Sequence, residues 1–278
     1  MIILQNLNAP LSTSIEITTK CNNRCKYCFN YQHGQDEMSI TNFRKILTIL
    51  KKEKVLFIKL NGGEPLVHSK FKQISFILHK YNCFNRSIVT NGLLIDKYYK
   101  IINKCYDKIG ISLDGPRKIH SSLRGELSFD KIITNISKIK IPKIMYVTIS
   151  RLNYKCVDDI IKMGERYNFT SIVFLFYKPI GLGHQFKKDL NLTERNKHQF
   201  KLSLDKVKTK TKLYLHDSKS DSCPGGSELI NINVFGNVGP CCFVDKFCGD
   251  IFNDNFKDII YNLKELKKKC NKSWCHRI

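Results

Sequence analysis

The chain has 278 residues, of which 42% are apolar, and its formal net charge is +23. This length suits one large domain with a small appendage, and the apolar fraction is sufficient to fill a core. Without a run of about 18 apolar residues the sequence predicts no membrane-spanning helix, and its first residues lack the basic and apolar regions of a secretory signal. We therefore expect a cytoplasmic protein, whose 12 cysteines stay reduced and, where they cluster, serve as metal ligands.

From residue 14 to about 180, short apolar runs alternate with amphipathic helical patterns. Six runs are predicted strands: Ser14–Thr18, Val55–Leu60, Ser87–Thr90, Lys108–Leu113, Ile144–Ser150 and Ile172–Tyr177. The predicted helices between them lie at 39–53 and near 70–81, 93–104, 129–138 and 155–168. Six β-then-α units produce a parallel sheet, and about eight are needed to close it. The predicted fold is therefore α/β, an open partial (β/α)6 barrel of the TIM type.

The chain changes character after the barrel. We expect an N-terminal extension, the core barrel, a helical linker and a small cysteine-rich module, at residues 1–13, 14–182, 183–222 and 223–278, respectively. The linker contains one helical stretch near 191–209. The final module holds six of the twelve cysteines and ends in an amphipathic helix near 255–269.

The most informative motif is a group of three cysteines, Cys21, Cys25 and Cys28, directly after the first predicted strand. Their C-x3-C-x2-C spacing lets three thiolates on one loop bind three irons of a cubane iron–sulfur cluster. The fourth iron then stays open to a substrate or cofactor. The alternatives are a zinc site, for which paired ligands are typical, and a disulfide framework. No fourth-ligand pattern lies nearby, which favours the cluster.

The run TTKCNNRCKYCFN resembles the cluster-binding loop of the radical S-adenosylmethionine (radical SAM) superfamily, including the aromatic Tyr27 before the third cysteine. The resemblance implies a 4Fe–4S cluster on Cys21, Cys25 and Cys28 whose open iron binds S-adenosylmethionine (SAM), with Tyr27 at the SAM site. In this family the cluster cleaves SAM reductively to methionine and a 5′-deoxyadenosyl radical. That radical abstracts a hydrogen atom from a substrate, so the resemblance predicts an enzyme.

The second predicted strand ends in the sequence NGGEP, which contains Gly62, Gly63 and Glu64. Glycines let the backbone approach a ligand closely, and a carboxylate can balance a bound ammonium. Taken alone, the run is also compatible with a simple tight turn. Because it lies one βα unit after the cysteine loop, it resembles the family motif that contacts the methionine amino group of SAM. The sequence TNG after the third strand supports this interpretation.

The fourth predicted strand ends in the sequence SLDGP, followed by His120 and by Arg124. Ser112 and Asp114 alternate along a strand and therefore share one face, which can meet the ribose or the carboxylate of SAM. Arg124 can bind a carboxylate through two N–H groups. A turn with a surface arginine is the alternative. The sequence resembles the SPASM/Twitch branch of the superfamily, which implies that Ser112, Asp114 and Arg124 contact SAM.

The fifth and sixth predicted strands end in further candidate contacts. Ser150 closes the fifth strand and Asn153 follows it, so both side chains can reach the ribose of SAM. The sixth strand is followed by the sequence PIGLG, which resembles the P-x-G-x-G turn near the adenine. Polar residues at strand ends are also common in ordinary loops, so a role without SAM contact is the alternative.

The last third of the chain carries a second cysteine pattern. Cys223, Gly236 and Cys241 form C-x12-G-x4-C, which resembles the start of the SPASM or Twitch module with its auxiliary iron–sulfur cluster. Only two cysteines follow Cys248, so the resemblance favours the shorter Twitch form with one auxiliary 4Fe–4S cluster. Its expected ligands are Cys223, Cys241, Cys270 and Cys275, with Cys242 and Cys248 as alternates. A structural zinc site on the same cysteines is the alternative.

SPASM/Twitch enzymes most often modify ribosomally made peptides or proteins. The resemblance therefore implies such a substrate and an external electron donor such as flavodoxin or ferredoxin. A Cys242 thiol that is not a ligand can donate a hydrogen atom to a substrate radical. Only 13 residues precede the first predicted strand, too few for a peptide-recognition domain, so we expect a separate recognition protein.

Two other classes of function remain open. The second hypothesis is a small-molecule dehydrogenase or a cofactor-biosynthesis enzyme, because some members with a single auxiliary cluster act in this way. The third is a nucleic-acid-modifying or nucleic-acid-binding protein that uses the net charge of +23. It ranks last because the lysines are scattered on helical patterns and no RNA-binding module is appended.

Overall fold

The structure is a computed structural model that describes residues 9–29, 34–125, 128–216 and 223–269. Within these residues a single nine-stranded sheet forms the framework. Its strands are β1 (Ser12–Glu16), β2 (Phe57–Asn61), β3 (Asn85–Thr90), β4 (Lys108–Ser112), β5 (Lys143–Ile149), β6 (Ser171–Phe176), β7 (Lys212–His216), β8 (Leu229–Ile232) and β9 (Val238–Gly239). They lie in the order β7-β6-β5-β4-β3-β2-β1-β8-β9, so the sheet is open.

The predicted open α/β sheet is confirmed, and it is wider than predicted. All neighbouring strands from β7 to β8 are parallel, and β9 alone pairs antiparallel, with β8. β7 lies in the expected linker and β8 in the expected C-terminal module, yet both extend the barrel sheet. Both strands are short, and neither stands out as a solid apolar run in the sequence.

The helices connect the strands, as expected for parallel β–α units. They are α1 (Ile40–Lys52), α2 (Phe71–His79), α3 (Ile95–Cys105), α4 (Arg117–Arg124), α5 (Ser128–Ile136), α6 (Val157–Arg166), α7 (Lys187–Leu190), α8 (Glu194–Lys206) and α9 (Phe256–Lys269). None of the helices in the described part of the chain is long and apolar enough to cross a membrane.

Helix α1 shows why these segments fold where they do. The Ser39 hydroxyl oxygen accepts a hydrogen bond from the backbone N–H of Asn42 at 3.0 Å and so caps the first turn. Phe43, Ile46 and Leu50 recur at helical spacing and are fully buried against the sheet. In contrast, α4 has no predicted counterpart, although it is the helix that brings Arg124 to the site.

The two faces of the sheet differ in chemistry. Along β2, Ile58 and Leu60 are fully buried in the apolar core between the sheet and the helices. Because side chains alternate along a strand, Lys59 and Asn61 project from the opposite, concave face. Strand register places Lys59 opposite Ser14 and Asn61 opposite Glu16. The concave face is therefore polar where β1 and β2 meet.

Candidate active site

A cavity of about 250 Å³ lies on the concave side of the sheet, near the carboxyl ends of the strands. Loops after β1, β2 and β3, helix α4 and the C-terminal segment all contribute to its wall. The residues expected at the site that line this cavity are Cys21, Cys25, Tyr27, Cys28, Gly62, Gly63, Glu64, Ser112, Arg124 and Cys242. The fold thus brings together residues that are more than 200 positions apart in the sequence.

The cysteine loop is held by backbone hydrogen bonds from both sides. The N–H of Cys28 donates to the carbonyl of Cys25 at 3.1 Å and closes a turn. The N–H of Lys26 donates to the carbonyl of Leu123 in α4 at 2.9 Å, and the N–H of Gly183 donates to the carbonyl of Cys28 at 3.3 Å. The three thiols therefore sit on a supported loop at one end of the cavity.

The electrostatics of this end suit a group that brings positive charge. Burial raises the pKa of Cys21 to about 12 and the pKa of Cys25 to about 11. A guanidinium N–H of Arg124 donates to the sulfur of Cys25 at 3.7 Å and partly offsets this effect. Iron supplies the positive charge that keeps buried thiolates ionised, so these thiols fit an iron–sulfur cluster.

The two glycines after β2 are required by the cysteine loop itself. The N–H of Gly63 donates to the carbonyl of Thr18 at 2.8 Å, and the N–H of Glu64 donates to the carbonyl of Lys20 at 2.8 Å. A side chain at Gly62, whose φ is +145°, would place its Cβ 2.3 Å from the Thr18 carbonyl oxygen. A Cβ at Gly63 would lie equally close to the Lys20 carbonyl, at 2.3 Å. The glycines therefore hold the backbone directly before Cys21.

Glu64 presents a buried carboxylate to the cavity. Its oxygens accept hydrogen bonds from the Thr90 hydroxyl at 2.6 Å and from the N–H groups of Asn91 at 2.7 Å and Leu66 at 3.1 Å. Burial nevertheless raises the pKa of Glu64 to about 7. The side chain is fixed in place but makes no ion pair within the described residues, and a bound ammonium group would provide one.

Asp114, Tyr27 and Arg124 form a compact network beside the cysteines. The Asp114 carboxylate accepts hydrogen bonds from the Tyr27 hydroxyl, from Nε of Arg124 at 2.6 Å and from the N–H of Thr148 at 2.8 Å. The Arg124 guanidinium also lies over the Tyr27 ring, 5.0 Å from its centroid. Asp114 is fully buried, whereas Tyr27 and Arg124 line the cavity. Asp114 thus orients the arginine and the tyrosine.

Three residues expected to contact SAM directly lie one layer behind the cavity wall: Asp114, Ser150 and Asn153 are all fully buried. The side-chain oxygen of Asn153 accepts from the N–H of Ser150 at 2.7 Å, and its amide donates to the carbonyls of Asp114 at 2.8 Å and Thr148 at 2.9 Å. Their polar groups are turned toward the protein, because loops from two neighbouring strands need hydrogen-bond partners there. They support the site from behind.

The C-terminal cysteines occupy three different environments. Cys223, which is 9% exposed, packs in a small apolar cluster with Val244, Cys241 and Leu266 of α9. Cys248 packs against the main core instead, and Cys242 lines the cavity. Of the expected auxiliary ligands, Cys223 and Cys241 therefore share a cluster, while Cys270 and Cys275 lie outside the described residues.

The cavity is also lined by residues that the sequence interpretation missed. Among them are Lys59, Asn61, Tyr146, Lys178 and Phe243. The Lys178 ammonium lies over the Phe243 ring, 4.9 Å from its centroid, and the Phe243 ring meets that of Phe29 edge-on at 5.1 Å. One signal was available in the sequence: Lys59 interrupts the apolar run of a strand that is buried on its other face.

Comparisons with known proteins agree with this geometry. The family model described as the radical SAM superfamily matches residues 15–164. The chain belongs to the radical SAM superfamily. Members of this family use a 4Fe–4S cluster and SAM, and the cavity supplies three cysteines for the cluster with a buried carboxylate and an arginine beside them. No three His, Cys, Asp or Glu side chains among the described residues converge on a single metal ion.

Relatives within this radical SAM family include proteins named for maturation. Mycofactocin maturase MftC of Mycolicibacterium smegmatis is 26% identical over 94% of this chain and 72% of its own length. Sporulation killing factor maturation protein SkfB of Bacillus subtilis is 25% identical over 96% of this chain and 68% of its own. The GTP 3′,8-cyclase of Clostridium perfringens is 27% identical over 85% and 74%, respectively.

Among solved structures, Streptococcus suis SuiB bound to its precursor peptide SuiA superimposes with a TM-score of 0.73. The sequence identity is 15%, and the match covers 91% of this chain and 65% of SuiB. The radical SAM chain described here therefore shares the SuiB fold and spans about two thirds of its length.

Proposed function

We propose that this radical SAM enzyme abstracts a hydrogen atom from a ribosomally made peptide or protein and so modifies it. The observation that carries the proposal is one cavity that is lined both by the three-cysteine loop and by residues of the C-terminal segment. Relatives named as maturation proteins, and the SuiB structure with its precursor peptide, support a peptide substrate. A peptide side chain that enters this cavity meets the reacting groups directly.

The residues around the cysteine loop have separable roles in this proposal. Cys21, Cys25 and Cys28 hold the 4Fe–4S cluster, and with SAM bound this group supplies the carbon radical that takes a hydrogen atom from the substrate. Glu64 receives the ammonium of SAM, because its carboxylate is buried in the cavity lining and has no ion-pair partner among the described residues. Arg124, fixed by Asp114, keeps positive charge beside Cys25. Ser112 lines the cavity within reach of the ribose.

Aromatic side chains exclude competing reactants from the cavity. Tyr27 and Phe29 flank the third cysteine, and Phe29 packs edge-on against Phe243 of the C-terminal segment. This contact joins the cysteine loop to the C-terminal segment at the cavity. A reactive radical needs such shielding because water and other hydrogen donors would quench it.

The C-terminal segment is proposed to hold an auxiliary 4Fe–4S cluster on Cys223, Cys241, Cys270 and Cys275. The packing of Cys223 and Cys241 in one small cluster supports two of the four positions. Lys267 of α9 donates to the carbonyl of Cys223 at 2.7 Å and so ties the end of the described chain to this cysteine. A zinc ion on the same thiols is the outcome that metal analysis would distinguish.

The partners belong to the same proposal. Flavodoxin or ferredoxin supplies the electron, a separate protein recognises the peptide, and the enzyme works in the cytoplasm. The absence of a membrane-crossing helix among the described residues is compatible with this location.

The proposal is tested with anaerobically reconstituted protein. We expect about eight irons per chain and dithionite-dependent release of 5′-deoxyadenosine from SAM. Short peptides encoded beside this gene are then added, and a change in peptide mass that requires SAM is the expected result. Cluster-loaded protein that releases no 5′-deoxyadenosine with or without these peptides would contradict the radical chemistry.

A small-molecule substrate is the second candidate, favoured by the match to GTP 3′,8-cyclase. The same assay distinguishes it, because GTP replaces the peptide and a new nucleotide product is sought by mass spectrometry. Product from GTP, together with unmodified peptides, would replace the peptide proposal.

A further inference from the structure

The most unusual group in the cavity is the ammonium of Lys178. This nitrogen is buried and has no hydrogen-bond partner among the described residues. It lies over the Phe243 ring, whose face stabilises a cation but cannot accept its N–H groups as a carboxylate does. A buried, unpaired ammonium is costly, so the site is arranged to receive an anion.

A second ammonium lines the same wall. Lys59 projects from the concave face of β2, two residues before Asn61, and is therefore roughly 6–7 Å further from the Gly62–Gly63 turn than that residue. No ion pair within the described part of the chain involves Lys59 or Lys178. The two lysines thus give one end of the cavity a net positive charge.

The protein's own acidic groups do not fill this position. Glu16 is the carboxylate next to it on the concave face, and one of its oxygens accepts from the side-chain amide of Asn231 at 2.9 Å. Glu16 does not line the cavity, whereas the two lysines do. Glu64, the other carboxylate of the cavity, is held by two backbone N–H groups and one hydroxyl and is assigned above to the ammonium of SAM. Neither carboxylate makes an ion pair with Lys59 or Lys178 in the described part of the chain, so the lysines are available to an anion of a bound molecule.

Cys242 of the C-terminal segment lines the same cavity as the two lysines. The next residue, Phe243, contacts both Lys178, whose ammonium lies 4.9 Å from its ring centroid, and Phe29, which follows Cys28. An anion held by the lysines is thus in the same cavity as the Cys242 thiol and the cysteine loop.

We propose that Lys59 and Lys178 bind a carboxylate of the peptide substrate and so determine which residue enters the cavity. This inference rests on the proposed function and narrows it to peptides with a glutamate, an aspartate or a terminal carboxylate at or beside the modified residue. SAM also carries a carboxylate, so the shared chemistry is a carboxylate at two ammonium groups. Arg124, whose guanidinium donates to Cys25 at the cluster loop, is the cation placed to hold the carboxylate of SAM, which leaves the lysines for the substrate.

The test uses the full chain, reconstituted anaerobically and saturated with SAM. The probes are the blocked tripeptide acetyl-Gly-Glu-Gly-amide and its neutral match acetyl-Gly-Gln-Gly-amide, with dissociation constants measured by ligand-observed NMR. The variants are Lys178→Met and Lys59→Met, which keep an unbranched side chain but remove the charge. Lys45→Met, at an exposed position of α1, is the matched control. SAM affinity and basal 5′-deoxyadenosine release are measured on the same samples.

We expect the wild type and Lys45→Met to bind the glutamate peptide at least roughly tenfold more tightly than the glutamine peptide. Lys178→Met and Lys59→Met lose this preference, Lys178→Arg retains it, and SAM affinity stays within about twofold of the wild type in all of them. Iron content and circular dichroism show whether each variant folds. If a variant does not fold, the preference of the wild type for the glutamate peptide still tests the inference.

Three results would overturn the inference. The first is equal binding of both peptides by the wild type, and the second is a preference for the glutamate peptide that persists in the methionine variants. The third is a lower SAM affinity of these variants, which would show that the lysines hold the carboxylate of SAM. A failure of the proposed radical chemistry gives a different result: the wild type then releases no 5′-deoxyadenosine, whichever peptide is present.

Discussion

The two cysteine-bearing regions are built in different ways. Cys21, Cys25 and Cys28 lie within eight residues of one loop, and all three line the same cavity. Between Cys223 and Cys248, by contrast, the cysteines separate into a small apolar cluster, the cavity wall and the main core. Close spacing on a supported loop is enough to assemble a ligand set, whereas dispersed cysteines depend on how the chain packs.

We expect the largest effect from a substitution in the cysteine loop. We expect Cys25→Ala to abolish 5′-deoxyadenosine release from SAM and to lower the iron content by about four per chain, because one of three thiolates is lost. Cys83→Ala is the control, since Cys83 is exposed and free. Release of 5′-deoxyadenosine by Cys25→Ala at the wild-type rate would contradict the assignment of the loop.

In the C-terminal region, we expect only one of two cysteine substitutions to cause a loss of metal. We expect Cys223→Ala to lose about four irons per chain, those of the auxiliary cluster, and to retain the cluster on the loop. Cys248→Ala retains both clusters, because that thiol packs against the core away from Cys223. Iron and zinc analysis of both variants checks this, and equal iron loss in both would make the ligand set wrong.

The next prediction concerns Glu64, which lines the same cavity as the cysteine loop and should make SAM binding depend on pH. With its pKa raised by burial to about 7, Glu64 is protonated below that pH and cannot pair with the ammonium of SAM. SAM affinity should therefore rise as the pH rises through about 7. Glu64→Gln should weaken SAM binding by about 10- to 100-fold, as for a lost hydrogen bond to a charged group, and flatten the pH profile.

This pH profile is measured by equilibrium dialysis of labelled SAM against cluster-loaded protein. Glu53→Gln, at the end of α1, is the matched control and should follow the wild type. A wild-type affinity that is constant across neutral pH would show that Glu64 does not receive the ammonium.

We expect the smallest effect from replacing Cys242, which belongs to the C-terminal region but lines the same cavity as the cysteine loop. Burial raises its pKa to about 11, so at neutral pH the sulfur carries the hydrogen that a substrate radical needs. Transfer forms a C–H bond and leaves a sulfur radical, which the external electron donor and a proton restore to the thiol. We expect Cys242→Ala to keep its iron and lose roughly tenfold in turnover.

Deuterium incorporation into the product identifies the source of the hydrogen atom. In deuterated water the wild type should place deuterium from the exchanged thiol in the product, and Cys242→Ala should not. Full turnover by Cys242→Ala with unchanged product would exclude the thiol as the donor.

Much of the fold and of the cluster site was predictable because both depend on local patterns. The three-cysteine spacing, the Gly62–Glu64 turn and six of the strands follow from short runs whose meaning does not depend on distant residues. Strands β7 and β8 were not predicted as part of the barrel, because polar residues interrupt their apolar runs, KLYLH and LINI, and they follow the last predicted β–α unit.

The depth of a side chain was not predictable in the same way. Strand alternation places Ser112 and Asp114 on one face, but only Ser112 lines the cavity. The carboxylate of Asp114 is withdrawn because Tyr27, Arg124 and Thr148, from three other elements, all donate to it. Hydrogen bonds between distant segments leave no periodic signal in the sequence.

The sequence by itself determined the chemistry: a loop of three cysteines, a glycine turn that holds it and an open α/β sheet that presents both. Only the tertiary structure decided which side chains complete the cavity. Lys59, Lys178 and Cys242 come from three separate segments, and they line one cavity because the C-terminal segment packs against the concave face of the sheet. Burial and the loss of hydrogen-bond partners arise from that packing, which is why the unpaired ammonium of Lys178 is visible only in the fold.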